Sequence, residues 1–132
     1  NANFPNANVI IGTDGDDTIS GTSGSDLIAS FNGADTVNGL AGNDKILGGS
    51  GVDIINGGDN DDHIYGYAGS DILAGDADND KILGGLDDDT IRGGAGDDDL
   101  RGEAGDDTIY TGAGKDTVTG GLGNDTIIID GL

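Results

Sequence analysis

One aliphatic residue recurs at every ninth position of this chain, separated by polar residues and glycine. From Ile19 the series runs through Ile28, Val37, Ile46, Ile55, Ile64, Leu73, Ile82, Ile91, Leu100, Ile109 and Val118 to Ile127. Cut into nines from Gly12, the chain reads GTDGDDTIS, GTSGSDLIA, SFNGADTVN and so on. Thirteen units follow one another without insertion from residue 12 to 128. The aliphatic stands at position eight, flanked by outward-facing neighbours, so positions seven to nine predict a three-residue strand with one buried side chain. Positions one to six are polar and glycine-rich, which suits a tight bend with positive φ. Glycine holds position four in ten of the thirteen units, and the exceptions Asn60, Asp78 and Asp87 are residue types that tolerate the left-handed region. A strand this short is not stable alone. Stacking turn on turn buries a continuous aliphatic column, so the chain is expected to be all-β and solenoidal.

The phase extends beyond the thirteen units. In the segment NFPNANVII, Asn8 falls at position six and Ile10 at position eight, so residues 1–11 read as a degenerate N-terminal capping repeat. Residues 129–132 begin a further repeat that is cut short, and residues 12–128 form one domain with no linker. The runs VII (9–11) and TIII (126–129) are the most apolar, and each falls at an open end of the expected stack. Uncapped parallel edges invite pairing, either with neighbouring domains of a longer protein or with copies of the chain in an end-to-end filament.

Composition makes this order surprising. There are 26 acidic residues against 5 Lys and Arg, a net charge of −21, 28 glycines and only five Tyr and Phe. Such a chain on its own belongs with disordered proteins. It has no Cys, which excludes disulfides and thiol chemistry. No run of 18 apolar residues predicts a membrane span, and the N-terminus lacks a signal-peptide pattern. The acidity argues against nucleic acid or an anionic membrane as partner, and for cations.

Position six supplies the cation chemistry. It is Asp in every unit: Asp17, Asp26, Asp35, Asp44, Asp53, Asp62, Asp71, Asp80, Asp89, Asp98, Asp107, Asp116 and Asp125. The unit G-G-x-G-x-D-x-U-x, nearly intact in GGSGVDIIN, GGAGDDDLR and GGLGNDTII, resembles the RTX (repeats-in-toxin) calcium-binding nonapeptide, a known sequence signature. The resemblance implies a right-handed parallel β-roll, a β-solenoid with two nonapeptides per 18-residue turn. Odd repeats would stack in one short-stranded parallel sheet and even repeats in the other. It also implies Ca²⁺ between successive turns on one side, held by two position-six aspartates and by backbone carbonyls of positions one to four. Asp44 and Asp62 would share one ion, and Asp53 and Asp71 another. The carbonyls implied include those of Gly39, Ala41, Gly42, Gly48, Gly49, Ser50, Gly51, Gly57, Asp59, Gly66, Ala68 and Gly69, and of Gly93, Gly94, Ala95, Gly96, Gly102, Ala104 and Gly105. Since these are main-chain groups, Ser30–Phe31 and Thr111 at glycine positions need not abolish their sites.

The ion fits the donors, because hard carboxylate and carbonyl oxygens suit Ca²⁺ and not Zn²⁺. Seven odd repeats enclose six gaps and six even repeats five, giving eleven sites, and eleven divalent ions bring +22 against −21. Aspartates stacked about 5 Å apart would otherwise repel. Folding should therefore be coupled to calcium. Cytosolic calcium is too scarce to fill many weak sites, so the expected setting is secreted or cell-surface. The resemblance implies type I export from a Gram-negative cell, although TIIIDGL shows no usual signal for that route. The expected role is structural or adhesive; the alternative is a module aiding export and folding of a larger secreted protease, lipase, epimerase or haemolysin.

No catalytic constellation stands out: there is one His, no Cys, and no Ser in a nucleophile elbow. The glycine loops lack the Lys-Ser/Thr and helix of a phosphate cradle. Asp87 and Asp88 beside Asp89, and Asp97 and Asp99 beside Asp98, read as solvated surface. On the even side, position seven runs Leu27, Lys45, His63, Lys81, Asp99, Thr117, and position nine runs Ala29, Leu47, Tyr65, Leu83, Arg101, Thr119. This basic stripe beside an apolar one is a candidate contact for an acidic polysaccharide or another protein. The odd side presents Thr18, Thr36, Thr90, Thr108 and Thr126, a broken threonine column that makes ice binding a minor alternative.

Overall fold

A computed structural model describes residues 8–131, so residues 1–7 of the expected capping repeat and Leu132 lie outside the described residues. In chain order the first seven strands are β1 (Asn8–Ile11), β2 (Thr18–Ser20), β3 (Asp26–Ala29), β4 (Thr36–Asn38), β5 (Lys45–Ser50), β6 (Ile54–Gly58) and β7 (His63–Ala68). The remainder are β8 (Ile72–Asp76), β9 (Lys81–Gly85), β10 (Thr90–Gly94), β11 (Asp99–Ala104), β12 (Thr108–Tyr110), β13 (Thr117–Leu122) and β14 (Thr126–Ile128). Odd strands form one seven-stranded sheet and even strands the other, each in strict sequence order. Every pairing is parallel with an offset of 18 residues, as in Ile46↔Ile64↔Ile82 and Ile55↔Leu73↔Ile91. The described residues contain no helix. The chain is thus an all-β parallel solenoid of two nonapeptides per turn.

The core is one residue wide. Ile28, Val37, Ile46, Ile55, Ile64, Leu73, Ile82, Ile91, Leu100 and Ile109 are fully buried, with Ile19 at 9% exposure. Ile10 and Val118 pack against this column, but Ile127 at the C-terminal end stays 44% exposed because no further turn covers it here.

Several strands are longer than the sequence pattern predicts. β5, β7, β11 and β13 have six residues, running from position seven through position three of the next unit. The alternation continues: position eight points in, nine out, one in and two out. Gly48 shows why this escapes a hydropathy pattern. A Cβ there would lie 2.7 Å from Asp53 Oδ2 and 2.9 Å from the carbonyl oxygen of Gly66, so glycine is favoured at the inward position one, where only Ser30 and Thr111 replace it.

Position four has positive φ as expected from Gly33 onward, including Asn60 (79°), Asp78 (74°) and Asp87 (74°), but not at Gly15 and Gly24 of the first two units. Position two also has positive φ, and here bulky residues accept it: Phe31 (74°), Leu40 (74°), Tyr67 (72°), Asp76 (76°) and Glu103 (80°). Each costs roughly 1–2 kcal/mol relative to a relaxed backbone. Glycine, as at Gly49 (101°), accepts it freely.

Because each strand contributes one buried aliphatic to the two facing columns, no neighbouring side chain on the same strand can replace a central one. Ile64→Ala is expected to cost about 2–5 kcal/mol, whereas Ile127→Ala should cost under about 1 kcal/mol. Urea unfolding in saturating calcium measures both, and equal losses would contradict a burial gradient along the stack.

Candidate metal centre

Each position-six aspartate closes the turn that follows the glycine-rich corner and faces inward. All from Asp26 to Asp107 are at most 3% exposed, while Asp17, Asp116 and Asp125 at the ends are half-buried. Successive aspartates on one side are tied together: the backbone N–H of Asp44 donates to Asp62 Oδ1 (2.8 Å), and that of Asp62 to Asp80 Oδ1 (2.8 Å). The ladder runs without a break from Asp26 to Asp116, and a second one runs from Asp17 to Asp125. The structure therefore brings all thirteen predicted aspartates into two columns.

The second carboxylate oxygen is left over. Oδ2 of Asp35, Asp44, Asp53, Asp62, Asp71, Asp80, Asp89, Asp98 and Asp107 is buried with no hydrogen-bond partner. An unpaired buried anion is expensive, so a partner belongs there. What else approaches is also oxygen. Around the empty Cβ place of Gly39, Asp44 Oδ2 and the Gly57 carbonyl lie at 2.6 and 2.5 Å; around that of Gly66, Asp71 Oδ2 and the Gly84 carbonyl lie at 2.5 and 2.6 Å. One carboxylate and one carbonyl from the adjacent turn thus meet at these corners, and likewise at Gly48, Gly84, Gly93 and Gly102. Among the described residues no three His, Cys, Asp or Glu side chains converge, and the further oxygens at hand are backbone carbonyls. Such a donor set suits Ca²⁺, which takes six to eight oxygens in flexible geometry.

The first turn differs. Asp17 Oδ2 accepts from the Thr13 N–H (2.6 Å) and Asp26 Oδ2 from the Thr22 N–H (2.7 Å), with both threonine hydroxyls adding bonds. Of the carbonyls expected as ligands, Gly48 accepts from Ser30 Oγ (2.8 Å), Ser50 from the Gly33 N–H (3.1 Å) and Gly94 from the Ala113 N–H (2.9 Å). Each keeps a second lone pair.

The family model described as RTX calcium-binding nonapeptide repeat (4 copies) matches residues 5–30, 30–64, 47–82, 56–91, 65–100 and 92–127. The chain belongs to this family. A comparison with curated proteins gave no match. RTX repeats bind calcium, and here they are built into a β-solenoid.

Burial in the RTX stack also displaces the proton equilibria. Desolvation, helped by neighbouring aspartates and opposed by the ladder hydrogen bond, pushes Asp44, Asp53 and Asp98 up to about 6, Asp62 and Asp89 to about 7, and Asp71 and Asp80 to about 8. The shift is greatest mid-stack, farthest from water.

The corners hold more order than the sequence reading assigned them. Position five carries a second ladder of opposite sense: Asn43 Oδ1 accepts from the Asp61 N–H (3.0 Å), Asp61 from Asn79 (2.9 Å), Asn79 from Asp97 (2.8 Å) and Asp97 from Lys115 (2.9 Å). Asp88 Oδ1 accepts from the Asp106 N–H (2.8 Å), and Asp87 Oδ2 from the Gly69 N–H (3.0 Å). Asp87, Asp88 and Asp97 are thus structural acceptors, not merely solvated surface, because a backbone N–H of a neighbouring turn lies over each. Asp99 pairs with Arg101 at 3.0 Å, the one ion pair among the described residues. The Asx recurrence at 18-residue spacing was the signal to look for.

The basic and apolar stripes also fall into register, as Lys45↔His63↔Lys81 and Leu47↔Tyr65↔Leu83, with Lys45 Nζ 5.7 Å from the Tyr65 ring centre.

The raised carboxylate pKa values predict acid and calcium as competitors. Without calcium, a fold whose aspartates titrate at about 6 to 8 against an ordinary 3.8 is favoured below about pH 4 and loses that support as pH rises through 6 to 8. Circular dichroism of the calcium-free chain should show more β-structure at pH 4 than at pH 8. The calcium midpoint should move to higher concentration as pH falls from 8 to 6. A flat calcium midpoint over that range would refute the coupling.

Proposed function

We propose that this RTX solenoid is an extracellular structural element, folded by calcium and serving adhesion or a secreted assembly rather than catalysis. The observation that carries the reading is the set of nine buried Oδ2 atoms without partners, repeated at every interior turn. In this reading the thirteen position-six aspartates are the side-chain ligands, carbonyls at the glycine corner complete each shell, and about eleven ions bind. Calcium supplies the positive charge that the stack lacks and so holds adjacent turns together. An unloaded chain of net charge −21 stays open in calcium-poor cytosol and closes outside. Exposed Ile127, Ile129 and Leu122 at one end, and Val9 and Ile11 at the other, support end-to-end association or cover by a neighbouring domain as part of the same role.

Two measurements test this. Far-UV circular dichroism should change from disordered in EGTA to β-rich in millimolar calcium, and an identical β-signal in both ends the proposal. Asp62 would serve two ions, one shared with Asp44 and one with Asp80, so Asp62→Ala should lower the bound calcium by two per chain. Calorimetry or elemental analysis reads the number, and an unchanged stoichiometry would remove Asp62 from the ligand set.

A further inference from the structure

The outer face of the sheet built from odd strands carries three parallel columns. Position seven supplies Lys45, His63 and Lys81; position nine supplies Leu47, Tyr65 and Leu83; position two supplies Phe31, Gly49, Tyr67 and Gly85. From β5 to β9 the first two columns read Lys–His–Lys and Leu–Tyr–Leu, position two reads aromatic–Gly–aromatic–Gly, and one turn further on Asp99 follows Lys81 and Arg101 follows Leu83. Two turns span about 10 Å at the ordinary spacing of parallel strands. Phe31 and Tyr67 stand 47% and 49% exposed on either side of Gly49, and the hollow between them has a volume of about 420 Å³. A second hollow of about 330 Å³ follows over Gly85, between Tyr67 and Glu103. The Tyr65 and Tyr67 rings lie side by side, 6.1 Å apart and 28° from parallel.

Two features of this face run against the rest of the molecule. Phe31 and Tyr67 hold left-handed backbone at a position where glycine would be relaxed, so the backbone conformation does not favour them. In a chain of 26 acidic residues, Lys45 and Lys81 have no ion pair among the described residues, and with His63 they hold half of the six basic side chains on one face.

We propose that this face binds a linear acidic polysaccharide with one carboxylate per disaccharide, its rings seated on Tyr65, Tyr67 and Phe31 and its carboxylates on Lys45 and Lys81. The two-turn period matches the length of two rings in an extended pyranose chain. Carboxylates on one edge of such a chain therefore meet the lysines in step. An acidic peptide in extended conformation repeats a side chain on one face every ~6.6 Å and falls out of step with lysines about 10 Å apart. Flat sugar faces suit exposed tyrosines, whose rings offer rigid apolar area with a polar tip. The inference rests on the calcium reading, because an unloaded chain at −21 repels any polyanion.

A hyaluronan decasaccharide is the probe, titrated into the chain in millimolar calcium with circular dichroism read on the same samples. Binding should weaken at least tenfold in Lys45→Ala/Lys81→Ala and in Phe31→Gly/Tyr67→Gly, with the calcium-induced β-signal retained. The second pair places glycine where the backbone already favours it, so its folding is secure. A neutral chitin oligosaccharide should bind at least tenfold more weakly than hyaluronan. The proposal is overturned if the folded chain does not bind hyaluronan, if either double variant binds as well as the parent, or if polyglutamate of equal length binds as tightly. Loss of the β-signal itself in calcium would instead overturn the reading beneath it.

Discussion

Everything in this solenoid depends on how an aspartate column divides its oxygens. From Asp35 and Asp44 onward, one oxygen of each carboxylate accepts the backbone N–H of the preceding turn and so fixes the distance and register between turns. The other is driven into the corner, out of water, facing more oxygen. The same contact that sets the stack thus creates the charge problem that a divalent ion solves. Few of the usual stabilising devices remain: the core is one aliphatic wide, and one ion pair is present among the described residues. Register and electrostatics are two effects of a single side chain.

Because each turn touches only its neighbours, order is expected to vary along the axis. The carboxylates most strongly displaced from ordinary titration, Asp71 and Asp80, sit mid-stack, where Leu73 and Ile82 are also fully buried. Toward the C-terminal end Asp116, Asp125 and Val118 are half-buried and Ile127 is open. At the other end Thr13 and Thr22 supply hydrogen bonds to Asp17 and Asp26 that interior turns leave unmade. A threonine donor can close a carboxylate in one place. It does not neutralise a column.

Much of this was legible in the chain because the period is short and two positions never vary in kind. Asp at six and an aliphatic at eight mark the nine-residue unit and identify Ile28 or Leu100 as buried, while the two units per turn and the parallel stacking came from the resemblance to RTX repeats. The length of the strands was not legible, because Gly48 and Gly66 carry no hydropathy to mark them as inward-facing. Nor was the left-handed backbone at Phe31 and Tyr67, since nothing in an aromatic residue announces a conformation it disfavours. Asp97 looked like solvent-facing charge because its partner, the Lys115 N–H, is adjacent only after the chain has gone round once.

The alternation of the two sheets gives the repeat a parity. Removing 18 residues takes out one turn, and every later side chain keeps its sheet, its column and its neighbours above and below. Removing nine leaves the local motif just as intact, yet it transfers every later strand to the opposite sheet. Lys81 would then stand behind the molecule from Lys45, although no residue had been substituted. A chain of this kind can grow or shrink freely only by even numbers of repeats, so an indel of one nonapeptide is a change of surface, while an indel of two is only a change of length.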